Sequence, residues 1–262
     1  MHRIDLNCDM GESFGAFRIG ADEAILPQIT SANIACGFHG GDPSVMRATI
    51  AGALSCGVAI GAHPGLPDLI GFGRRTMEVT PQEVYDLVVY QVGALLGFAR
   101  AAGVELQHVK AHGALYNMAA VQAPLADAIA HAVRDVDRGL VLFALAGSEL
   151  VAAGQRAGVR TASEAFADRN YTRDGTLVSR RRSDAMVAGA EEAVRRAVRM
   201  VREGRVRSVD GDDVVLRADT LCIHGDAPDA AELARELRRG LESAGVTVQS
   251  IGRARAASQM RA

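Results

Sequence analysis

The chain has 262 residues, 48% of them hydrophobic and 23% charged, with a formal net charge of −2. That length allows one large core, and the balanced charge and lack of a run of about 20 apolar residues exclude a nucleic-acid footprint and a membrane span. Cys8, Cys36, Cys56 and Cys222 form no CxxC pair and no signal segment precedes the first strand, so free thiols and a cytoplasmic location are expected.

Strand-like and helix-like patterns alternate throughout. Arg3–Asp9 opens with apolar/polar alternation, and Ala32–Cys36 is a short apolar run. Asp42-Pro43 predicts a helix start, with Asp as N-cap; Val45, Met46, Thr49, Ile50, Ala53 and Leu54 then recur at helical spacing as far as Gly57. Val58–Gly61 reads as a strand and Gly65–Arg75 as a long loop. Thr80-Pro81-Gln82-Glu83 is a capping box whose helix ends at Gly103. His108–Ala111 predicts a strand, followed by a single helix from Ala114 to Val136.

Leu140–Leu145 is a buried strand, Ser148–Ala157 a helix, Val159–Phe166 a strand and Ala167–Arg182 a polar loop. A helix is expected over Ser183–Glu203, a hairpin across Asp210-Gly211, a strand at Thr220–Ile223, a helix at Asp226–Ser243 and a last strand at Val246–Ile251. Arg253–Ala262 reads as a frayed tail. No linker divides this β-then-α series, which predicts one domain over residues 1–262 built on a parallel sheet. A closed or nearly closed barrel fits best; a doubly wound open sheet is the alternative, and the absence of GxGxxG weakens its dinucleotide-binding form.

In such barrels the chemistry gathers at the C-terminal ends of the strands. Asp9 and Glu12, His39, His63, Lys110 and His112, Asp168 and Arg169, and His224 and Asp226 all fall there. Histidines and carboxylates on one rim point to a metal site or to general acid/base chemistry. Plainer roles stand beside these: Asp9 as a turn cap, His39 and His224 as turn residues beside glycines, His108 as a satisfied core histidine. A Cys36–His39 nucleophile is a weaker option than a buried apolar thiol. Lys110 is the only lysine among 29 basic residues, which suggests a site that needs a compact or titratable amine. It does not stand in a Gly-Lys-Ser/Thr loop, so there is no Walker A motif. Gly37, Gly40 and Gly41 before the Asp42 helix offer only a weak anion-binding signal.

The stretches DLNCDMGESFG, SANIACGFHGGDP, IGAHPGLPDLIGFGRR, VKAHGALYN, EAFADRNYTRDGTLVSR and CIHGD together resemble the LamB/YcsF family. Ala111, Gly40 and Ser179 replace residues common in that pattern (Pro, Ala and Pro), and none of them removes a titratable group. The resemblance implies a distorted seven-stranded (β/α) barrel of the glycoside hydrolase/deacetylase type. It implies the A subunit of a 5-oxoprolinase, which opens 5-oxo-L-proline to L-glutamate at the expense of ATP together with subunits B and C. By analogy with related deacetylases it implies Asp9, His63 and His112 as ligands of a divalent metal. Catalytic roles are expected for Asp9, Glu12, Lys110 and His39. Substrate contacts are expected from Asn7, Arg74, Arg75, Tyr116, Asp168, Arg169, His224 and Asp226. A stand-alone metal-dependent deacetylase or amidohydrolase, and a non-catalytic scaffold, are the rival readings.

Overall fold

Strict alternation in β1 (His2–Met10) sends Asp5, Asn7 and Asp9 to one face and Ile4, Leu6, Cys8 and Met10 to the other, and both faces are buried. The computed structural model, which describes residues 2–225 and 229–253, shows why: β1 is a stave of a closed barrel. A short helix, α1 (Asp22–Ile25), leads to β2 (Ser31–Ala35), α2 (Pro43–Ser55) and β3 (Ala59–His63). Then come α3 (Pro81–Ala101), β4 (His108–Lys110), α4 (Gly113–Ala119), α5 (Ala123–Val136), β5 (Val141–Leu145), α6 (Glu149–Arg156) and β6 (Arg160–Phe166). After a long loop follow α7 (Ala190–Glu203), the antiparallel hairpin β7 (Arg205–Arg207) and β8 (Asp213–Val215), β9 (Thr220–Ile223), α8 (Ala230–Ser243) and β10 (Val246–Val248).

The ring runs β1-β2-β3-β4-β5-β6-β9 and closes where β9 pairs with β1, Asp5 opposite Thr220 and Cys8 opposite Ile223. All pairings in the ring are parallel. The expected seven-stranded barrel is therefore the fold. β10 lies outside the ring, against the first residues of β1. The apolar core fills the layer between staves and helices, where Leu6, Met10, Ile34, Val92, Leu95, Leu142, Leu221 and Leu237 are buried. Barrel closure instead faces Asp5, Asn7, Asp9, Ser31, Asn33, His108, Lys110, Glu164 and Thr220 toward one another in a buried polar interior. A β-carbon on Gly61 would lie 2.3 Å from the His108 ring, so a glycine on β3 makes room for that imidazole inside the barrel.

Local signals hold where the chain supplies its own caps. Asp42 accepts from the amides of Ser44 and Val45 at the start of α2, and Thr80 and Glu83 form the reciprocal capping box of α3. Two helices differ from expectation. The stretch from Ala114 to Val136 is broken between α4 and α5, because Gln122 is extended and Pro124, which lacks an amide proton, sits in the first turn of α5. Helix α7 begins at Ala190 rather than Ser183, after Gly189 at φ 81°. Residues 184–187 spend their backbone groups on the preceding loop instead: Asn170 N donates to Ala185 O, Asn170 Nδ2 to Asp184 O, and Val187 N to Asp168 O. Asp226, the expected start of α8, lies outside the described residues, as does the expected tail from residue 254. Arg253 is anchored, donating to Leu106 O at 2.9 Å and pairing with Asp137 at 2.6 Å. Among the described residues no helix is long and apolar enough to cross a membrane.

Candidate active site at the mouth of the barrel

A cavity of about 510 Å³ opens at the C-terminal ends of the staves. Asp9, His63, Lys110, His112 and Tyr116 line it on the barrel side, and His224, Arg169, Arg180 and Arg181 line it from β9 and the loop after β6. Two ionic clusters meet there.

The first surrounds Lys110. Its ammonium lies 2.9 Å from Asp9 Oδ1, 3.0 Å from Glu164 Oε1, 3.0 Å from Cys222 Sγ and 3.4 Å from Asn7 Oδ1. Burial opposes the charge, yet Asp9, Cys222 and Glu164 hold the Lys110 pKa well above its ordinary value. Asp9 in turn stays well below the usual carboxylate range despite burial, because His63 and Lys110 stand beside it. An ammonium has three protons, and the chain already offers four acceptors within 3.4 Å. Lys110 therefore balances the charge of Asp9 and Glu164 and fixes their positions; contact with a substrate anion would displace one of these partners.

A continuous network carries this cluster down the barrel. Asn7 donates to Glu164 and Thr220, Asn33 donates to Asn7 and Asp9, and His108 Nε2 meets Asn33 Oδ1 at 2.7 Å. At the far end Asp5 accepts from Thr30, Ser31 and Thr220. Burial raises the Asp5 pKa to about 6 and lowers that of His108 to about 3. His108 stacks on Phe143 at 4.1 Å and is a core histidine. Asn7 lies within this network and not on the cavity wall. Glu164 is the main residue that sequence reasoning missed. The available signal was a charged residue alternating with Ala162 and Phe166 in a strand that had to be buried.

The second cluster is Glu12, His39, His63 and His112, each offering one ligand atom within 4.8 Å of the others. His63 Nδ1 lies 2.8 Å from the carbonyl of Lys110, and His112 Nε2 lies 2.8 Å from the carbonyl of Phe72. Carbonyl oxygens only accept, so both of these nitrogens carry protons. The other nitrogens, His63 Nε2 and His112 Nδ1, then face each other at 2.9 Å with lone pairs. A cation belongs between them: a proton on one ring, or a metal ion. Burial keeps His39 and His112 well below the ordinary histidine pKa, which favours neutral, metal-binding imidazoles. Glu12 Oε1 lies 3.3 Å from His39 Nε2 and 3.5 Å from His112 Nδ1. Ligands about 2.0–2.1 Å from a tetrahedral metal are separated by about 3.3 Å, a spacing that Glu12 and His112 approach at 3.5 Å; His39 stacks on His112 in parallel planes with centroids 3.6 Å apart, so these two rings do not aim their in-plane lone pairs at one point. The backbone carbonyls that orient the two rings supply the outer support such sites use.

This set shares His63 and His112 with the expected triad and brings Glu12 and His39 beside them. Asp9 Oδ2 stands 3.3 Å from His63 Nε2, but its other oxygen belongs to Lys110 and Asn33. Glycine packing helps to gather the set. A β-carbon on Gly40 would lie 2.8 Å from the Glu12 carbonyl, so the loop carrying His39 presses directly onto the loop carrying Glu12. The amides of Gly37 and Gly41 donate to Gly40 O and Ser13 O, and do not form an anion nest.

Of the expected substrate contacts, Arg74, Tyr116, Arg169 and His224 line the cavity. Tyr116 donates to Glu164 at 2.7 Å. Arg75 does not line it: its exposed guanidinium is bonded to Asp68. Asp168 sits behind His224, accepting from its Nδ1 at 2.7 Å. Arg169 is buried, donates to Val178 O, and leaves its Nε without a hydrogen-bond partner among the described residues. Burial and the neighbouring Arg180 lower the Arg169 pKa to about 10, more than the nearby Asp168 carboxylate raises it. Arg180 and Arg181 were read as part of a loop and had no expected role.

The family model described as LamB/YcsF family matches residues 4–256. A protein of Bacillus licheniformis, named as the A subunit of 5-oxoprolinase, is 62% identical over 250 residues, 95% of this chain and 99% of that one. One of the same name from Bacillus subtilis is 60% identical over 255 residues, 97% and 99% of the two chains. The crystal structure of a lactam utilization protein from Thermus thermophilus is 50% identical, with a TM-score of 0.90, and covers 95% of this chain and 100% of its own. The barrel, the clusters at its mouth and these matches have one common reading: the chain belongs to the LamB/YcsF family.

Proposed function

We propose that this chain is the A subunit of an ATP-dependent 5-oxoprolinase, opening 5-oxo-L-proline to L-glutamate with partner subunits B and C. The observation that carries this reading is the cavity, which sets Asp9, His63 and His112 on one wall against Arg169, Arg180 and Arg181 on the other. The substrate has the corresponding two ends, an amide carbonyl and a carboxylate. Arg169, with Arg180 beside it, binds the carboxylate through paired charge-assisted hydrogen bonds. That contact turns the lactam carbonyl toward His63 and His112. Asp9, held ionised by Lys110, orients the attacking water through the oxygen that faces His63. A divalent ion held by Glu12, His63 and His112 would polarise the carbonyl and acidify water.

A five-membered lactam is an unactivated amide, so coupling to ATP is chemically reasonable: phosphorylation of the carbonyl oxygen creates a leaving group. The chain has no Walker A loop, so the nucleotide is held either through another loop or by the partner subunits. Labelled oxygen from the ring carbonyl is then expected in the released phosphate, and unlabelled phosphate would reject the phosphorylation step.

The test of the whole reading is glutamate and ADP formation from 5-oxoproline and ATP, by this chain alone and with subunits B and C. Turnover only in the three-part mixture is expected. The ligand-like cluster also favours a second reading, a metal-dependent amidohydrolase acting alone. Turnover by the isolated, metal-loaded chain without ATP would establish that one instead. Glutamate formation by B and C without this chain would reject its role in the reaction.

A further inference from the structure

Amide hydrolysis has a second requirement besides attack on the carbonyl. The ring nitrogen cannot depart as an anion, so it must gain a proton as the C–N bond breaks. The histidine cluster stands at the ends of β1 to β4, and the groups for this second task are found across the ring from it. His224 follows β9 and lines the cavity; Asp168 follows β6 and lies behind it. His224 Nδ1 meets Asp168 Oδ2 at 2.7 Å, and the ring stacks on Phe166 with centroids 5.5 Å apart and 19° between planes. The carboxylate thus fixes both the ring orientation and the tautomer, leaving Nε2 for the cavity. Among the described residues Nε2 has no hydrogen-bond partner.

Resting on the 5-oxoprolinase reading, we propose that His224 is the proton donor to the departing lactam nitrogen, with Asp168 as its positioning residue. In this step the imidazolium gives its Nε2 proton to the ring nitrogen. The electron pair of the broken C–N bond remains on that nitrogen, which becomes the amine of glutamate. With the carbonyl oxygen phosphorylated, water first adds to the ring carbon and loses a proton to solvent; breaking the C–N bond then leaves an acyl phosphate, a second water displaces phosphate from the acyl carbon to complete the carboxylate, and solvent returns the proton to His224. Asp168 stays ionised and stabilises the imidazolium. Asp9, Cys222 and Lys110 face the imidazole from inside the barrel, and Arg169 and Arg180 stand on its loop side. The charge of Lys110 is already matched by Asp9 and Glu164.

The experiment uses the three-subunit complex with His224→Gln and, separately, Asp168→Asn. For H224Q, kcat for glutamate formation is expected to fall about 10²–10⁴-fold, with little change in KM for 5-oxoproline. The pH profile of kcat is expected to differ between H224Q and the wild type. D168N, which keeps the imidazole in place, lowers kcat in the same direction by at least about tenfold. Wild-type kcat, a loss confined to KM, or a wild-type pH profile in H224Q overturns the proposal. If H224Q does not fold by circular dichroism, a folded D168N with wild-type kcat and pH profile overturns it equally. An inactive wild-type complex instead rejects the 5-oxoprolinase reading on which the proposal rests.

Discussion

Around Lys110 the chain brings its own cation to two buried carboxylates; around His63 and His112 it brings lone pairs. The two clusters share one cavity, yet the first is complete within the fold and the second calls for a proton or a metal ion. Asp5, farther down the same interior, shows a third arrangement: its carboxyl has three hydroxyl donors and, among the described residues, no ion-pair partner, and burial raises its pKa to about 6. What separates the three is the source of the compensating charge, which determines whether each position serves stability, ligand binding or pH response.

The largest effect is expected from removing the built-in cation. Lys110→Met leaves Asp9 and Glu164 buried and unpaired and should cost about 3–5 kcal/mol in urea unfolding. Adding Glu164→Gln should recover part of that loss. A K110M protein as stable as wild type would show that the carboxylates take up protons and that the cation is dispensable.

The histidine cluster should respond in the opposite way. In chelator, His112→Ala is expected to leave stability within about 1 kcal/mol of wild type, because it removes one of two facing lone pairs. Zinc at about 100 times its Kd should stabilise the wild type by about 2.7 kcal/mol and H112A hardly at all. Equal stabilisation of both proteins in a thermal melt would remove the metal from this comparison.

Asp5 sharpens the contrast through pH. Its folded pKa is raised above the ordinary carboxylate value, so the folded state holds the proton more tightly than the unfolded chain. This contribution is complete below about pH 4 and is lost as pH rises through about 6. Asp5→Asn should therefore flatten the unfolding free energy between those limits, by an amount on the order of 2–3 kcal/mol. An unchanged slope would mean that the hydroxyl network, and not a proton, balances this carboxylate. The smallest expected effect lies on the cavity wall. Arg169→Gln should raise KM for 5-oxoproline about 10- to 100-fold with a lesser change in kcat, and an unchanged KM would place the substrate carboxylate elsewhere.

The barrel was legible because its signals are local. Asp42, Thr80 and Glu83 cap their helices with their own side chains, and alternation or short apolar runs mark the staves. Pro124 was equally visible, but its effect depended on where the previous helix stopped. The false helical start at Ser183 arose because Asn170 and Asp168 capture the backbone of residues 184–187, a pairing that no local pattern encodes. At the site, the clustering of histidines on one rim showed in the spacing of strand ends. Which atoms meet did not: Arg74 and Arg75 are neighbours in sequence, yet one lines the cavity and the other turns away to Asp68. Glu164 was hidden for a related reason, since the worth of a buried carboxylate depends on Lys110, which closure of the ring brings to it.

That closure also sets a condition on synthesis. β1 is the first stave made and β9 the last of the ring, and the Asn7–Thr220 bond spans 213 residues. Parallel pairing over such a separation cannot begin until nearly the whole chain exists, and it is intrinsically slow. Every shorter product, whether from an early stop or a proteolytic cut before β9, lacks Cys222, His224 and the seam that holds Asp9 in place. The assembled site thus forms only after synthesis has passed β9.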